Sequence, residues 1–509
     1  MKKLLAVMAI VSAPAFAKPA TVEINNAAQG PQIHPDVYGQ FTEHLGDGIY
    51  GGLYVGEDST IPNTRGFRND VIEALKNLEI PLVRWPGGCF ADEYHWRDGI
   101  GPKEERPVKV NISWGGTKED NSFGTHEFFE LAEMLGAKAY VNGNLGSGTV
   151  QEMAEWLEYM TSDNQTPITE LRKKNGREKP WDLAYFAVGN EAWGCGGNMR
   201  PEYYADLYNH YATFLKAPEG NKPKMIASGG HSELTDWTDV LSKRIENNID
   251  GISFHYYTLP TADWTIKGKA TGFPESEWMS TMVNTLKMDD FLKENIKILD
   301  KNDPEGKIDF YVDEWGTWYD TEEATKHRTL YQSNTLRDAM VAAVNFNIFH
   351  KYAERVTMTM VAQMVNVLQA MILTDEEKMV LTPTYHIFDM YKVFQGAESL
   401  PVKARKMPQY KLDGSKIDAL SISAAEDESG NIHLAIANMD PHNGHKVALN
   451  LKEGQVKSVR GKILTADKMD AENTFLETDI VKPEDFHVTL NDKGEFDIPS
   501  KSIVVVVVE

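Results

Sequence analysis

From about residue 35 to residue 395 the chain alternates short apolar runs with longer stretches whose apolar residues recur every three or four positions. The short runs lie at 37–41, 80–84, 137–141, 183–188, 225–228, 249–255, 308–313 and 356–363. Such runs fit strands buried on both faces, as in a parallel sheet covered by crossover helices. The longer stretches supply those helices. Residues 68–78 place Val71, Ile72, Ala74, Leu75 and Leu78 on one helix face, and 128–135 repeats the pattern up to Gly136, a C-cap residue. Thr149 and Glu152 form a capping box ahead of Met153, Trp156, Leu157 and Met160. Pro201, Thr235 and the pair Thr382-Pro383 mark further helix starts. Eight strand–helix units predict an α/β fold, a (β/α)8 TIM barrel.

After about residue 396 the helical period fades. Short alternating segments at 419–423, 432–438, 446–451 and 502–508 take over, separated by Asp, Gly and Asn, and they predict an all-β sandwich. The run Val504 to Val508 would be an aggregation hazard at an edge, so it is expected as a central strand. The extended segment 21–24 precedes the barrel pattern and is expected to join the sandwich. The predicted organisation is therefore 1–17 as a signal peptide, 18–34 as an N-terminal strand joining the sandwich, 35–395 as the (β/α)8 barrel and 396–509 as the sandwich.

Residues 1–17 read as an export signal, with Lys2 and Lys3 before an apolar run and Ala15-Phe16-Ala17 as a cleavage site. This predicts a periplasmic or secreted protein. The signal's apolar run is too short to span a bilayer, and nothing later in the chain resembles a membrane helix. A net charge of −23, from 52 basic and 75 acidic residues, argues against nucleic acid and anionic membranes as partners. The two cysteines, Cys89 and Cys195, allow either one disulfide or two free thiols, and they make no zinc site.

Two segments carry the chemistry: Ala-Val-Gly-Asn-Glu-Ala-Trp-Gly at 187–194 and Phe-Tyr-Val-Asp-Glu-Trp-Gly-Thr-Trp-Tyr at 310–319. Each is a strand-like run ending in a glutamate within a Gly/Trp-rich loop, the way a barrel presents an acid at its C-terminal face. Glu191 follows the fourth strand and Glu314 the seventh, nearly opposite around the ring. Paired carboxylates break glycosidic bonds, and tryptophan stacks on the apolar face of a sugar. Other strand ends add polar groups to the same face: Glu43 and His44, Arg84, Asn144, Asn190, His255 and Tyr257, and Gln363. Together they describe a pocket that grips hydroxyls. No His-Glu-x-x-His, nucleophile elbow, phosphate loop or dinucleotide fingerprint is present in the right context, so neither a metal nor a cofactor is expected.

With these motifs the chain resembles the α-L-arabinofuranosidases of glycoside hydrolase family 51. The resemblance rests on Tyr-Gly-Gln-Phe-Thr-Glu-His-Leu-Gly at 38–46, Ile-Tyr-Gly-Gly-Leu-Tyr at 49–54, Arg-Trp-Pro-Gly-Gly at 84–88 and Tyr-His-Trp-Arg-Asp-Gly-Ile-Gly-Pro at 94–102. It rests also on Gly-Asn-Glu at 189–191, Asp-Glu-Trp at 313–315 and Ala-Gln-Met-Val-Asn-Val at 362–367. It implies a retaining, exo-acting enzyme that releases arabinofuranose from arabinan- or arabinoxylan-type chains. Glu191 is then the acid/base and Glu314 the nucleophile. Glu43, Arg84, Cys89, Asn144, Asn190, His255, Tyr257, Trp318 and Gln363 are the candidate substrate-binding residues. Cys89 and His126 stand where many members carry asparagine, which puts those two contacts in doubt. The chemistry asks for a protonated Glu191 and an ionised Glu314, the latter helped by Arg84. The resemblance also implies a homo-oligomer. An endo-acting β-glucanase or xylanase on the same barrel is the alternative, and a non-catalytic sugar-binding barrel is a third reading.

Overall fold

In the computed structural model, which describes residues 18–246 and 248–509, the eight apolar runs form strands that close into one parallel barrel. In chain order they are Gly39–Phe41, Leu82–Trp85, Lys138–Gly143, Tyr185–Val188, Lys224–Ala227, Gly251–Thr258, Asp309–Thr317 and Met358–Val361. Each pairs in parallel with its neighbours, and the eighth closes on the first. Alternation decides which side chains fill the barrel. Phe41, Tyr140, Tyr185, Tyr311, Met358 and Met360 pack in its interior. Val83, Val141, Phe186, Ile252 and Phe310 face the helical layer.

The strand bounds differ from the predicted runs by a few residues, and two of the differences have a clear physical reason. The first begins at Gly39 because Pro35 opens a 3-10 turn over Pro35–Tyr38, where its missing N–H costs nothing. The seventh runs on through Glu314 to Thr317, paired with the sixth as far as Thr258. Its register shifts against both neighbours at the level of Asp313 and Glu314. This bulge has a consequence for the site: consecutive strand residues normally point to opposite faces, yet here both acids approach Arg84.

The crossover helices start and stop as the sequence signals require. Thr149 accepts from the Glu152 amide at 3.1 Å to open Val150–Thr161. The expected reciprocal arm of that capping box is absent, because the Glu152 carboxylate binds His95 at 2.8 Å instead. Thr125–Leu135 ends at Gly136 in the left-handed region, φ +68°.

The sandwich holds a four-stranded and a six-stranded sheet. Ala20–Ile24 lies in the first, between Val402–Arg405 and His445–Leu451. The valine-rich strand Ser502–Val508 is central in the second, flanked by Ile432–Asn438 and Ser458–Leu464. Helix Leu336–Lys351 is buried from Leu336 to His350 because the barrel covers one side and the sandwich the other. His350 joins them, touching Tyr38 Oη at 2.7 Å and Ser423 Oγ at 2.8 Å. Burial lowers its pKa to about 3, so it stays neutral in this link. The expected signal peptide, residues 1–17, lies outside the described residues.

Candidate active site

A cavity of about 300 Å³ opens at the C-terminal ends of the barrel strands. Glu43, Cys89, Glu191, His255, Tyr257, Glu314, Trp318 and Gln363 line it. Arg84 and Asn190 are bonded to one another at 2.6 Å, and Arg84 reaches Glu314. Of the candidate substrate residues, only Asn144 is not brought to this site. Its strand ends at Gly143, and the loop beyond folds back, so the Asn144 amide donates to Tyr94 O and its Oδ1 accepts from the Ser147 and Gly148 amides. His44 is also structural, accepting from Trp85 Nε1 and contacting Glu119. His126 lies against Tyr159 and Trp181, away from the cavity.

Glu314 is held by three groups. Arg84 Nη1 donates to Oε1 at 2.9 Å, Tyr257 Oη donates to Oε2 at 2.9 Å, and His255 Nδ1 stands 3.4 Å from Oε2. The same His255 nitrogen lies 2.8 Å from Glu191 Oε1. Oxygens of Glu191 and Glu314 and a nitrogen of His255 all fall within 4.8 Å of one another. This suits the roughly 5–5.5 Å carboxyl separation of retaining glycosidases rather than the 6.5–9.5 Å or so of inverting ones.

The charges differ from the sequence expectation in one respect. Burial pushes Glu314 above the usual carboxylate range, and the opposing pull of His255 and Arg84 does not fully offset it. Its ionisation therefore depends on those two cations. Burial alone would lower His255, but Glu314, Asp313 and Glu191 outweigh it and raise its pKa to about 10. Burial likewise acts against the Arg84 cation, and Tyr140, Asp313 and Glu314 outweigh it and hold it charged. Burial raises Glu43 to about 8, with Glu314 adding to the effect. Glu43 accepts from the Phe90 amide, Trp114 Nε1 and Gln363 Nε2 at 2.9–3.0 Å. Its fit requires Gly88, where a Cβ would sit 2.5 Å from Glu43 Oε1. Among the buried atoms here without a hydrogen-bond partner are Asn190 Nδ2 and Gln363 Oε1, a donor and an acceptor suited to sugar hydroxyls. Glu191, His255 and Glu314 have a spacing that can hold a cation, but a protonated His255 is no ligand.

Of the two readings open for the cysteines, the structure has the disulfide, Cys89–Cys195, with Cα atoms 5.6 Å apart. It ties the loop after the second strand to the loop carrying Glu191, and Cys195 Sγ lies 3.4 Å from Glu191 Oε2. It closes a span of 106 residues. In the chain-entropy picture a loop near 100 residues is worth about 4.7 kcal/mol. Reduction, or Cys195→Ser, is accordingly expected to lower Tm by about 5 °C in thermal melting. An unchanged Tm would show that the bridge restrains nothing.

The pocket carries an aromatic collar of Trp114, Trp193, Trp264 and His231, of which sequence reasoning had only Trp193. Trp264 packs edge-on against Trp318 at 5.3 Å and is half exposed at the mouth. Trp193 and His231 lie 4.0 Å apart. Trp193, two residues after Glu191, is the stacking tryptophan expected beside that acid. Trp114 and Trp264 sit on long loops whose path no local pattern reveals. Asp313 was also missed, although it precedes Glu314: by the alternation that points Tyr311 inward it faces Arg84 and Tyr140, and the bulge brings Glu314 to the same side.

The comparisons agree with this geometry. Residues 74–270 match the model described as alpha-L-arabinofuranosidase 1 domain, and residues 313–502 match the alpha-L-arabinofuranosidase C-terminal domain. An intracellular exo-alpha-L-arabinofuranosidase of Bacteroides ovatus is 51% identical over 96% of this chain and 95% of its own. The GH51 arabinofuranosidase structure from Xanthomonas axonopodis pv. citri superposes with TM-score 0.93 at 45% identity, covering 96% of this chain and 100% of that one. The arabinose complex of an alpha-L-arabinofuranosidase from Thermotoga maritima gives TM-score 0.84 at 28% identity, covering 96% and 99%. One expectation is overturned: the Bacteroides relative is named intracellular, against the periplasmic or secreted location read from residues 1–17, and that reading is withdrawn.

Proposed function

This chain belongs to glycoside hydrolase family 51, and we propose on that footing that it is a retaining, exo-acting α-L-arabinofuranosidase with Glu314 as nucleophile and Glu191 as acid/base. The observation that carries the reading is the shared His255: one imidazole nitrogen meets both carboxylates, at 2.8 and 3.4 Å, on the floor of a small pocket. In the first step Glu314 attacks the anomeric carbon while Glu191 gives its proton to the leaving oxygen. A covalent arabinosyl-enzyme forms. Glu191 then takes a proton from water, which attacks the face the leaving group vacated and displaces Glu314 from the opposite side, so two inversions give retention. Arg84 and protonated His255 stabilise the carboxylate that attacks and later departs. Tyr257 orients it.

Glu43, Asn190 and Gln363 grip the ring hydroxyls, and Trp318 with its collar covers the sugar face. A pocket of this size takes one terminal sugar, which favours exo action on arabinan- or arabinoxylan-type side chains over the endo-acting alternative. The catalytic unit is the barrel, 35–395, and the flanking 18–34 and 396–509 form the sandwich. Hydrolysis of aryl α-L-arabinofuranoside, aryl β-D-xyloside and a soluble β-glucan is the test. Selective cleavage of the first is expected. Activity on the glucan alone would move the enzyme to the endo-acting class.

A further inference from the structure

We propose that Asp92 is the positioning residue of the acid/base, fixing the backbone that carries Glu191 through the amide of Asn190. The inference rests on the reading of Glu191 as acid/base. Asp92 does not line the pocket and is 6% exposed. Among the described residues no cation forms an ion pair with it; its carboxylate is taken up by backbone instead. Oδ1 accepts from the Leu145 and Gly146 amides, both at 2.8 Å, and Oδ2 accepts from the Asn190 amide at 2.9 Å. Burying a carboxylate is costly unless hydrogen bonds replace its water. The arrangement therefore needs a group with two acceptor oxygens, one for each loop.

The two loops differ in what they do. Residues 144–148 form a rigid anchor: Asn144 closes it through Ser147, Gly148 and Tyr94, and Asp92 O accepts from Ser147. This is the role Asn144 holds in place of a sugar contact. The second loop carries Glu191, whose φ of +42° lies in the left-handed region that a non-glycine residue avoids. Such a conformation persists only where its surroundings over-determine it. Asp92 holds the amide just before it, and Ser228 Oγ holds the Ala192 amide just after it at 3.2 Å. Gly196 leaves the room: a Cβ there would meet Asn190 O at 1.9 Å and Asp92 Oδ2 at 2.8 Å. A shift of the Asn190 amide swings the Glu191 carboxyl away from the leaving oxygen, which sets the rate only where the leaving group needs a proton.

Asp92→Asn keeps the volume and the Oδ1 bonds but turns an NH2 toward the Asn190 N–H. The measurement is kcat/KM on a methyl and on a nitrophenyl α-L-arabinofuranoside, with thermal melting to confirm folding. The ratio of aryl to methyl kcat/KM is expected to rise about tenfold or more. In a Glu191→Ala background, adding Asp92→Asn should change the methyl rate less than about twofold, because the group it positions is gone. A purely structural role would lower both substrates alike and add to Glu191→Ala; either result overturns the proposal. Asp92→Ser, which keeps one acceptor, is the second variant, and failure of both to fold also overturns it. If Glu191→Ala itself leaves the ratio unchanged, the acid/base assignment falls instead.

Discussion

Glu314→Gln is expected to lose at least about 10⁴-fold in kcat on every arabinofuranoside, whatever its leaving group. Glutamine preserves shape and still accepts one of the bonds from Arg84 and Tyr257, so the fold and pocket should survive. What disappears is the only group placed to form the covalent intermediate. Neither half of the reaction then has a route, and the better leaving group of an aryl substrate gives no relief. Intact-mass analysis during turnover of a slow substrate reads this directly. Wild type should gain one arabinosyl unit and the variant none. Comparable loss with an adduct still formed would place the nucleophile elsewhere, and Glu43, the third acid of the pocket, would be the next to test.

Glu191→Ala should behave differently. Loss of a general acid costs about 10²–10⁴-fold where the leaving group needs protonation, and much less for an acidic phenol. The second step loses its base for all substrates, so the arabinosyl-enzyme should accumulate with aryl glycosides. Azide needs no base and fits the space left by the carboxylate. It should restore turnover and yield an arabinosyl azide of retained configuration, detectable by NMR. An azide of inverted configuration would mean that it attacks the substrate directly and that Glu191 is not the acid/base.

How far the site could be read from sequence follows from where its information lies. Glu191 and Glu314 sit at the ends of short apolar runs, so local pattern and the period of the barrel place them at one face. Arg84, Tyr257 and Gln363 follow by the same logic. Asn144 fails because its own loop uses its side chain. One residue past Gly143 the chain turns back on itself and the side chain closes a loop. The upward push of burial on Glu314 was not foreseen because Arg84 is visible in sequence and burial is not. Trp114 bonds Glu43 across 71 residues of chain, and Asp92 reaches Asn190 across 98; no spacing rule encodes such contacts. The sandwich was legible as a class from its turn residues, but the order of its strands is a matter of packing.

The placement of Ala20–Ile24 also bears on how the chain assembles. This strand is made first, yet both strands that flank it, Val402–Arg405 and His445–Leu451, come after the whole barrel. At about 5–20 residues per second, the ribosome leaves it waiting for roughly 20–75 seconds. During that time a segment with three inward apolar residues, Ala20, Val22 and Ile24, has no sheet to enter. The intervening Thr21 and Glu23, with Lys18 and Pro19 just ahead, are the residues that keep such a segment from pairing with another nascent copy. Strands made after the barrel thus capture one made before it, and the sandwich closes against a barrel that is already complete.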